Sequence, residues 1–177
     1  MKHNRNRRTA WISLALAVIL ALQDVLPASA SEAAAFMHLI SGENARAERK
    51  PESEYSKISV STEEDLALLA LDCQLDAWSR DKYVVLENDI VLKEQRGLSI
   101  PSFGGIFDGG GHTVSGLELT AEGSVWGMFR YVQEGSVVRN LSVSGTVAPG
   151  GSKSQLGILA GLNYGKLENC QVSGRVT

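Results

Sequence analysis

The sequence predicts an all-β fold, a right-handed parallel β-helix (solenoid) of about four coils behind an N-terminal α-helical cap. Three observations predict it. One pattern recurs three times between residues 105 and 176, each copy opening on Gly plus two apolar residues, turning at a Gly-bearing segment and ending on a short alternating strand. Helical periodicity is confined to one stretch ahead of the repeats. From Tyr83 onward the apolar period is two.

The first 30 residues read as a secretory signal. Lys2, Arg5, Arg7 and Arg8 make a basic start, residues 11–22 are an unbroken apolar run, and Ala28-Ser29-Ala30 is a small-x-small cleavage site. The run is well short of the ~20 residues that span a bilayer as a helix, and Gln23 and Asp24 end it. Cleavage after Ala30 takes four of the 17 Lys/Arg and one of the 20 Asp/Glu, leaving 13 against 19 and a mature net charge of −6. That balance argues against nucleic acid, which is held by neutralising phosphates with Lys and Arg. The expected location is secreted or cell-surface.

Residues 31–56 read as a flexible linker. Ala33 to Ile40 can make a short helix, but residues 42–56 are polar, contain Pro51 and carry little large apolar surface to offset the entropy of ordering. The domain is expected over 57–177. Ile58-Ser59-Val60 makes a short strand. Ser61 and Thr62, with Glu64 and Asp65 three residues on, form a capping-box signal. Glu63, Glu64 and Asp65 also suit the positive end of a helix. Two apolar stripes follow, Leu66, Leu69, Ala70, Cys73 and Leu68, Leu71, Leu75, Trp78, which predict a helix over about 63–78 acting as a lid on one end of the core. Residues 83–86 and 90–92 are strands separated by an Glu87-Asn88-Asp89 turn.

Aligning the three copies on their final strands gives apolar columns of Val114, Val138 and Leu167, then Leu117, Leu141 and Cys170, then Leu119, Val143 and Val172. Between the first two lies Gly116, Asn140 and Asn169. Gly and Asn are the residues that most readily take positive φ, so this column predicts a structural corner. The spacing from Leu117 to Leu141 is 24 residues and from Leu141 to Cys170 is 29. Such periods indicate a repeat array, and each copy is too short for a propeller blade of ~40–45 residues. A parallel solenoid remains, with an Asn ladder running up the corner. A β-sandwich is the alternative, since it also uses short strands at regular spacing.

The stretches G-I-F-D-G-G-G-H-T, W-G-M-F, V-V-R-N-L-S-V-S-G-T-V and L-G-I-L-A-G-L-N-Y-G-K-L-E-N-C-Q-V-S-G-R-V resemble GLUG-motif repeats. These occur in bacterial cell-surface proteins, including regions flanking immunoglobulin A1-cleaving metallopeptidases. The segment I-S-V-S-T-E-E-D-L-A-L-L-A with Y-V-V-L-E-N-D-I-V-L resembles the cap that often precedes them. The resemblance covers about residues 57–177. It implies architecture and surface location and brings no catalytic residues, because the motif is structural.

Chemistry is sparsely signalled. Asp108 and His112, four apart in F-D-G-G-G-H, are the weak candidates for acid–base or metal work. The structural reading of the same residues is a tight corner in which Asp108 bonds its own backbone and the glycines supply positive φ. No catalytic residue is assigned. A metallopeptidase would need H-E-x-x-H, and His3, His38 and His112 do not form it; no metal and no cofactor is expected. Glycosidase or lyase chemistry needs clustered acids on successive coils. The alignment places Asp108 with Arg130 and Ala160, and Glu118 with Ser142 and Gln171. Trp126, Tyr131 and Tyr164 are the candidate binding face for a sugar or peptide, with core packing the competing role, above all for Trp126 opposite Leu156. Cys73 and Cys170 are expected as two buried free thiols. They sit about three coil steps of ~4.8 Å apart, beyond the ~7 Å Cα reach of a disulfide.

The expected function is an exported surface module for adhesion, display or ligand binding without catalysis of its own. The alternative is a fragment of a carbohydrate-active enzyme, pectate-lyase-like or glycosidase, acting on extracellular polysaccharide. Expected partners are an extracellular glycan or a host or matrix protein, with the membrane met only through the export signal. The third copy ends on a bare strand without a cap, so a longer surface protein or end-to-end self-association is also expected.

Overall fold

The computed structural model describes residues 49–177. The signal segment, the helix over 33–40 and residues 31–48 of the linker lie outside the described residues. Among the described residues the fold is all-β with parallel pairing and one α-helix. Thirteen strands occur in the described residues: β1 (Ser56–Val60), β2 (Lys82–Leu86), β3 (Ile90–Val91), β4 (Ile106–Asp108), β5 (Thr113–Leu119), β6 (Val125–Trp126), β7 (Phe129–Val132), β8 (Val137–Arg139), β9 (Ser142–Val147), β10 (Gln155–Leu156), β11 (Ala160–Asn163), β12 (Lys166–Glu168) and β13 (Gln171–Val176). They form a five-stranded sheet in the order β1-β2-β4-β8-β12, a four-stranded sheet β3-β5-β9-β13, and the pairs β6-β10 and β7-β11. Every strand pairing is parallel, whereas a sandwich is built from antiparallel neighbours.

The helix α1 (Glu63–Asp72) is shorter than the two apolar stripes predict. Its start follows the capping signal: Thr62 Oγ1 accepts from the Asp65 N–H at 3.1 Å and Asp65 Oδ2 accepts from the Thr62 N–H at 3.0 Å. The first stripe is covered, and of the second only Trp78, beyond the end of the helix, packs against the core. Leu66, Leu69 and Cys73 are buried in the main core, while Leu68, Leu71 and Leu75 face outward. With nothing to bury the second stripe, continuing the helix gains no apolar burial. A 3-10 turn at Trp78–Asp81 leads into β2 instead. Glu63 also joins α1 to the chain after β3, its Oε1 accepting from the N–H groups of Lys93, Glu94 and Gln95 at 2.8, 2.9 and 2.6 Å.

The observed register corrects the sequence alignment of the first copy. In the five-stranded sheet Val84 pairs with Phe107, Phe107 with Val138, and Val138 with Leu167. In the four-stranded sheet Val114 pairs with Val143, and Val143 with Val172; Leu119 pairs with Val147, and Val147 with Val176. Val138 with Leu167 and Val143 with Val172 are the columns read from the sequence, but Val114 and Leu119 belong elsewhere. The slip of four to five residues came from matching Gly116 to Asn140, and two insertions vary the step within the first copy. Asp108 to Thr113 is five steps where Arg139 to Ser142 is three, and β5 carries one extra residue between Val114 and Leu117.

Gly116 is therefore not in one column with Asn140 and Asn169. All three have positive φ, at 79°, 52° and 50°, but Gly116 sits in the β5 bulge. The counterpart of the Asn turns is Gly110, with φ 60°, in the longer turn after Asp108. The Asn ladder is present: Asn169 Nδ2 donates to Asn140 Oδ1 at 3.4 Å, and Asn140 Nδ2 donates to Asp108 Oδ1 at 3.0 Å.

The bulge has a second consequence. It brings the Leu117 backbone against Gly145, so that a Cβ on Gly145 would overlap the Leu117 carbonyl oxygen and Cβ. Gly145→Ala is expected to cost ~1–3 kcal/mol through overpacking, read as a lowered urea midpoint. An unchanged midpoint would show that β5 and β9 separate without penalty.

The core runs between the sheets. Phe103, Phe107 and Phe129 are fully buried and meet edge-on or tilted, with ring centroids 5.3–6.0 Å apart. Cys73 and Cys170 are free, as expected, but Cys170 is only half-buried. Burial pushes the Cys73 thiol up to about 12, which keeps it protonated and unreactive.

Candidate functional site

The two weak catalytic candidates are separated by their partners. Asp108 ends β4, above Arg139 at the end of β8. Its Oδ2 accepts from Arg139 Nε at 2.7 Å and from the Tyr83 hydroxyl at 3.1 Å. Its Oδ1 accepts from the Gly110 N–H and from Asn140 Nδ2, both at 3.0 Å. Burial works against the charged carboxylate, but the bonds from Asn140, Gly110 and Arg139 outweigh it and hold its pKa below the ordinary value. Arg139 is shared further, donating to the Tyr83 hydroxyl at 2.9 Å and to both carboxylate oxygens of Glu52 at 2.8 and 3.3 Å. A carboxylate with four donors is a structural anion, poorly suited to accept a proton from substrate.

His112 turns to Asp89 instead, Nδ1 lying 3.2 Å from Asp89 Oδ1. The same oxygen accepts from the Thr113 N–H at 2.8 Å. That backbone bond, and then the histidine, hold Asp89 below its ordinary pKa. Asp108 and His112 thus serve two separate pairs that tie the long turn to its neighbours. Among the described residues, no three His, Cys, Asp or Glu side chains gather where a metal ion could be held.

A concave feature among the described residues lies around β7. An open cleft of ≈ 860 Å³ is lined by Asp76 and Arg80 from the segment after α1, Pro101 and Ser102, Val125 on β6, Arg130 and Tyr131 on β7, Gln133 and Glu134, and Leu162 on β11. Gln133 braces it. Its Nε2 donates to the Asp76 carbonyl at 2.6 Å and to Ser102 Oγ at 2.8 Å, and its Oε1 accepts from Arg80 Nε at 3.0 Å. The wall is therefore pinned on both sides, and the cleft carries donors from two guanidinium groups and acceptors from two carboxylates.

Of the three predicted aromatic residues, Tyr131 lines the cleft, and Tyr164 stacks on it from outside the lining. Tyr131 and Tyr164 stack with centroids 5.3 Å apart and ring planes at 32°, and both are exposed. Trp126 does not join them. It pairs with Leu156, packs against the core, and lies under the Arg130 guanidinium at 4.7 Å. Its indole N–H is buried with no hydrogen-bond partner among the described residues. Arg130 therefore links the tryptophan to the cleft. No family model, curated protein or solved structure matches the chain.

Arg139, Gln133, Arg130 and Arg80 were not predicted as site residues. Arg139 is legible only when Asp108 is placed beside it, which requires the observed register. Gln133 and Arg80 meet across 53 residues of chain, a contact no local pattern announces.

Proposed function

We propose that the chain is an exported surface module whose parallel sheets wind as a right-handed β-helix, and that it binds an extracellular ligand at the tyrosine-bordered cleft without chemistry of its own. The observation that carries the reading is the exposed Tyr131–Tyr164 stack beside a braced, open cleft of ≈ 860 Å³. Clefts of this size that combine apolar surface with a few fixed polar groups are where small molecules and chain segments bind. The helical winding is supported by the way successive strands of each repeat return to successive positions in the same sheets, with a constant 29-residue step from β8 to β12 and from β9 to β13. The resemblance to GLUG-motif repeats supports the surface location. The commitment of Asp108 to Arg139, Asn140 and Gly110 supports a structural role for the one turn that suggested catalysis.

The test is binding of the exported chain to a panel of immobilised glycans and matrix proteins. A panel member that binds is expected to lose about tenfold or more in affinity, ~1.4 kcal/mol, when Tyr131 and Tyr164 are both changed to alanine, with the thermal midpoint little changed. Turnover of a polysaccharide that Asp108→Asn abolishes would replace this reading with the carbohydrate-active enzyme.

A further inference from the structure

We propose that the ligand of this cleft is a glycan bearing uronic acid, with the sugar carboxylate held on Arg130 and the sugar ring laid against Tyr131. The inference rests on ligand binding at the cleft and adds which chemistry the cleft selects. It begins with Arg130. This side chain is half-buried and fixed at two points. Its Nε donates to the Val125 carbonyl at 3.2 Å, and its guanidinium carbon lies 4.7 Å from the Trp126 ring centroid. Among the described residues, no carboxylate forms an ion pair with Arg130, and no acceptor takes its terminal Nη1 or Nη2. A cation partly withdrawn from water, with donors left unfilled, carries a desolvation cost that an incoming anion relieves. Arg80 repeats the arrangement. Its Nε donates to a neutral acceptor, Gln133 Oε1, at 3.0 Å, and no described carboxylate pairs with it.

The shape of the donor selects the anion. With Nε occupied, Arg130 keeps its two terminal nitrogens, a planar fork that matches the two oxygens of a carboxylate. The other charges in the cleft set the density of that anion. Asp76 and Glu134 line the same cleft and are exposed. They repel a densely sulfated or phosphorylated chain, while their oxygens accept from sugar hydroxyls. The lining therefore fits a ligand with single carboxylates set among hydroxyl donors. Tyr131 supplies the apolar part. It follows Arg130 on β7, is 38 % exposed and is backed by the Tyr164 ring at 5.3 Å. A rigid tyrosine face offers a large contact area for the C–H face of a sugar ring at low conformational cost. An acidic peptide would satisfy Arg130 but has no such ring to lay on Tyr131.

Isothermal titration calorimetry of the exported chain tests the proposal. The probes are tetrasaccharides of galacturonate, glucuronate and mannuronate, each beside its methyl ester, with a sulfated galactose oligomer and a glutamate-rich peptide as the competing chemistries. At least one uronate is expected to bind, and its methyl ester, which keeps every ring and hydroxyl but loses the charge, about tenfold or more weakly. Arg130→Lys keeps the charge and loses the fork. It is expected to weaken uronate binding about tenfold and to leave the ester's affinity unchanged. The ester comparison uses the wild-type chain, so it stands whether or not the variant folds. Equal affinity for uronate and ester, with both lost when Tyr131 and Tyr164 are changed to alanine, would overturn the carboxylate assignment and leave ligand binding at the cleft intact. Failure of every uronate to bind, or tighter binding of the sulfated oligomer or the peptide than of any uronate, would overturn it as well. Uronate binding that survives both Arg130→Lys and the double tyrosine change would place the ligand elsewhere and overturn this inference together with the reading it rests on.

Discussion

Phe107→Ala is expected to lower the stability of the folded chain by ~3–5 kcal/mol, the cost of emptying a fully buried aromatic site. Phe107 sits in β4, the middle strand of the five-stranded sheet, between Val84 and Val138 in its row. Its ring meets Phe103 at 6.0 Å and Phe129 at 5.3 Å, both edge-on. Phe103 comes from the segment that bridges to Val132, and Phe129 from β7, so one side chain links the five-stranded sheet to the β7 side of the core. Alanine removes the apolar burial and both edge contacts, each worth ~0.5–1.5 kcal/mol beyond area. Neighbouring strands are tied by backbone bonds in parallel register and cannot collapse to refill the space. Against a usual total of ~5–15 kcal/mol, the variant should be close to unfolding in mild urea. Phe107→Leu keeps most of the volume and should lose less than half as much. Val172→Ala, at an exposed position, should fall within ~0.5 kcal/mol of wild type. The measurement is urea denaturation followed by circular dichroism. Equal midpoints for Phe107→Ala and Val172→Ala would show that the aromatic cluster does not hold the sheets together.

The aromatic cluster also marks how far the sequence could be read. Period-two alternation and the three copies were enough for an all-β chain, and the second and third copies aligned in register over their last two strands, where the step is a constant 29 residues, but not at Ala160, which pairs with Phe129 and not with Arg130. Their Asn140 and Asn169 turns have the positive φ that their residue type implied. The first copy misaligned because the positive-φ Gly116 of the β5 bulge was matched to the turn residue Asn140, which shifted every β5 partner upstream by four or five residues. Gly109-Gly110-Gly111 was the visible trace of the longer turn, but a glycine run does not say how many residues it absorbs. The cleft was less legible still. Tyr131 and Tyr164 were identifiable only as aromatic residues of the second and third copies, because Tyr131 pairs in register with Leu162 and its stacking on Tyr164 follows no repeat position. The brace of Gln133 with Asp76, Ser102 and Arg80 depends on where the chain after α1 comes to rest, which follows from α1 stopping at Asp72 once its second apolar stripe has nothing to cover. Local propensity does not encode that outcome; burial does.

Arg139→Met is expected to cost ~2–4 kcal/mol at pH 7, because removing one partner leaves Asp108 charged and poorly compensated in a mostly dry position. The side chains of Asp108 and Arg139 are 14 % and 25 % exposed, which places the pair between a surface bridge and a fully buried one. Asp108→Asn with Arg139→Met should recover part of the loss, and the recovery measures the coupling. The pH dependence fixes the sign. The folded pKa of Asp108 lies below its unfolded value, so its contribution is complete above the unfolded pKa and is lost as pH falls through the folded one. Wild-type stability should therefore drop as pH is taken from 5 toward 3, close to the ordinary carboxylate range of ~4. Arg139→Met should drop less, because the interaction that protonation removes is already gone, so the two denaturation curves converge in acid. Asn140→Asp, which replaces a donor to Asp108 by a second carboxylate, should move the other way and gain relative stability as both groups protonate. A gap between wild type and Arg139→Met that stays constant from pH 7 to pH 3 would mean that Arg139 acts through packing and the Tyr83 hydroxyl and not through a carboxylate. The turn that carried the only catalytic hint would then need another explanation for its four donors.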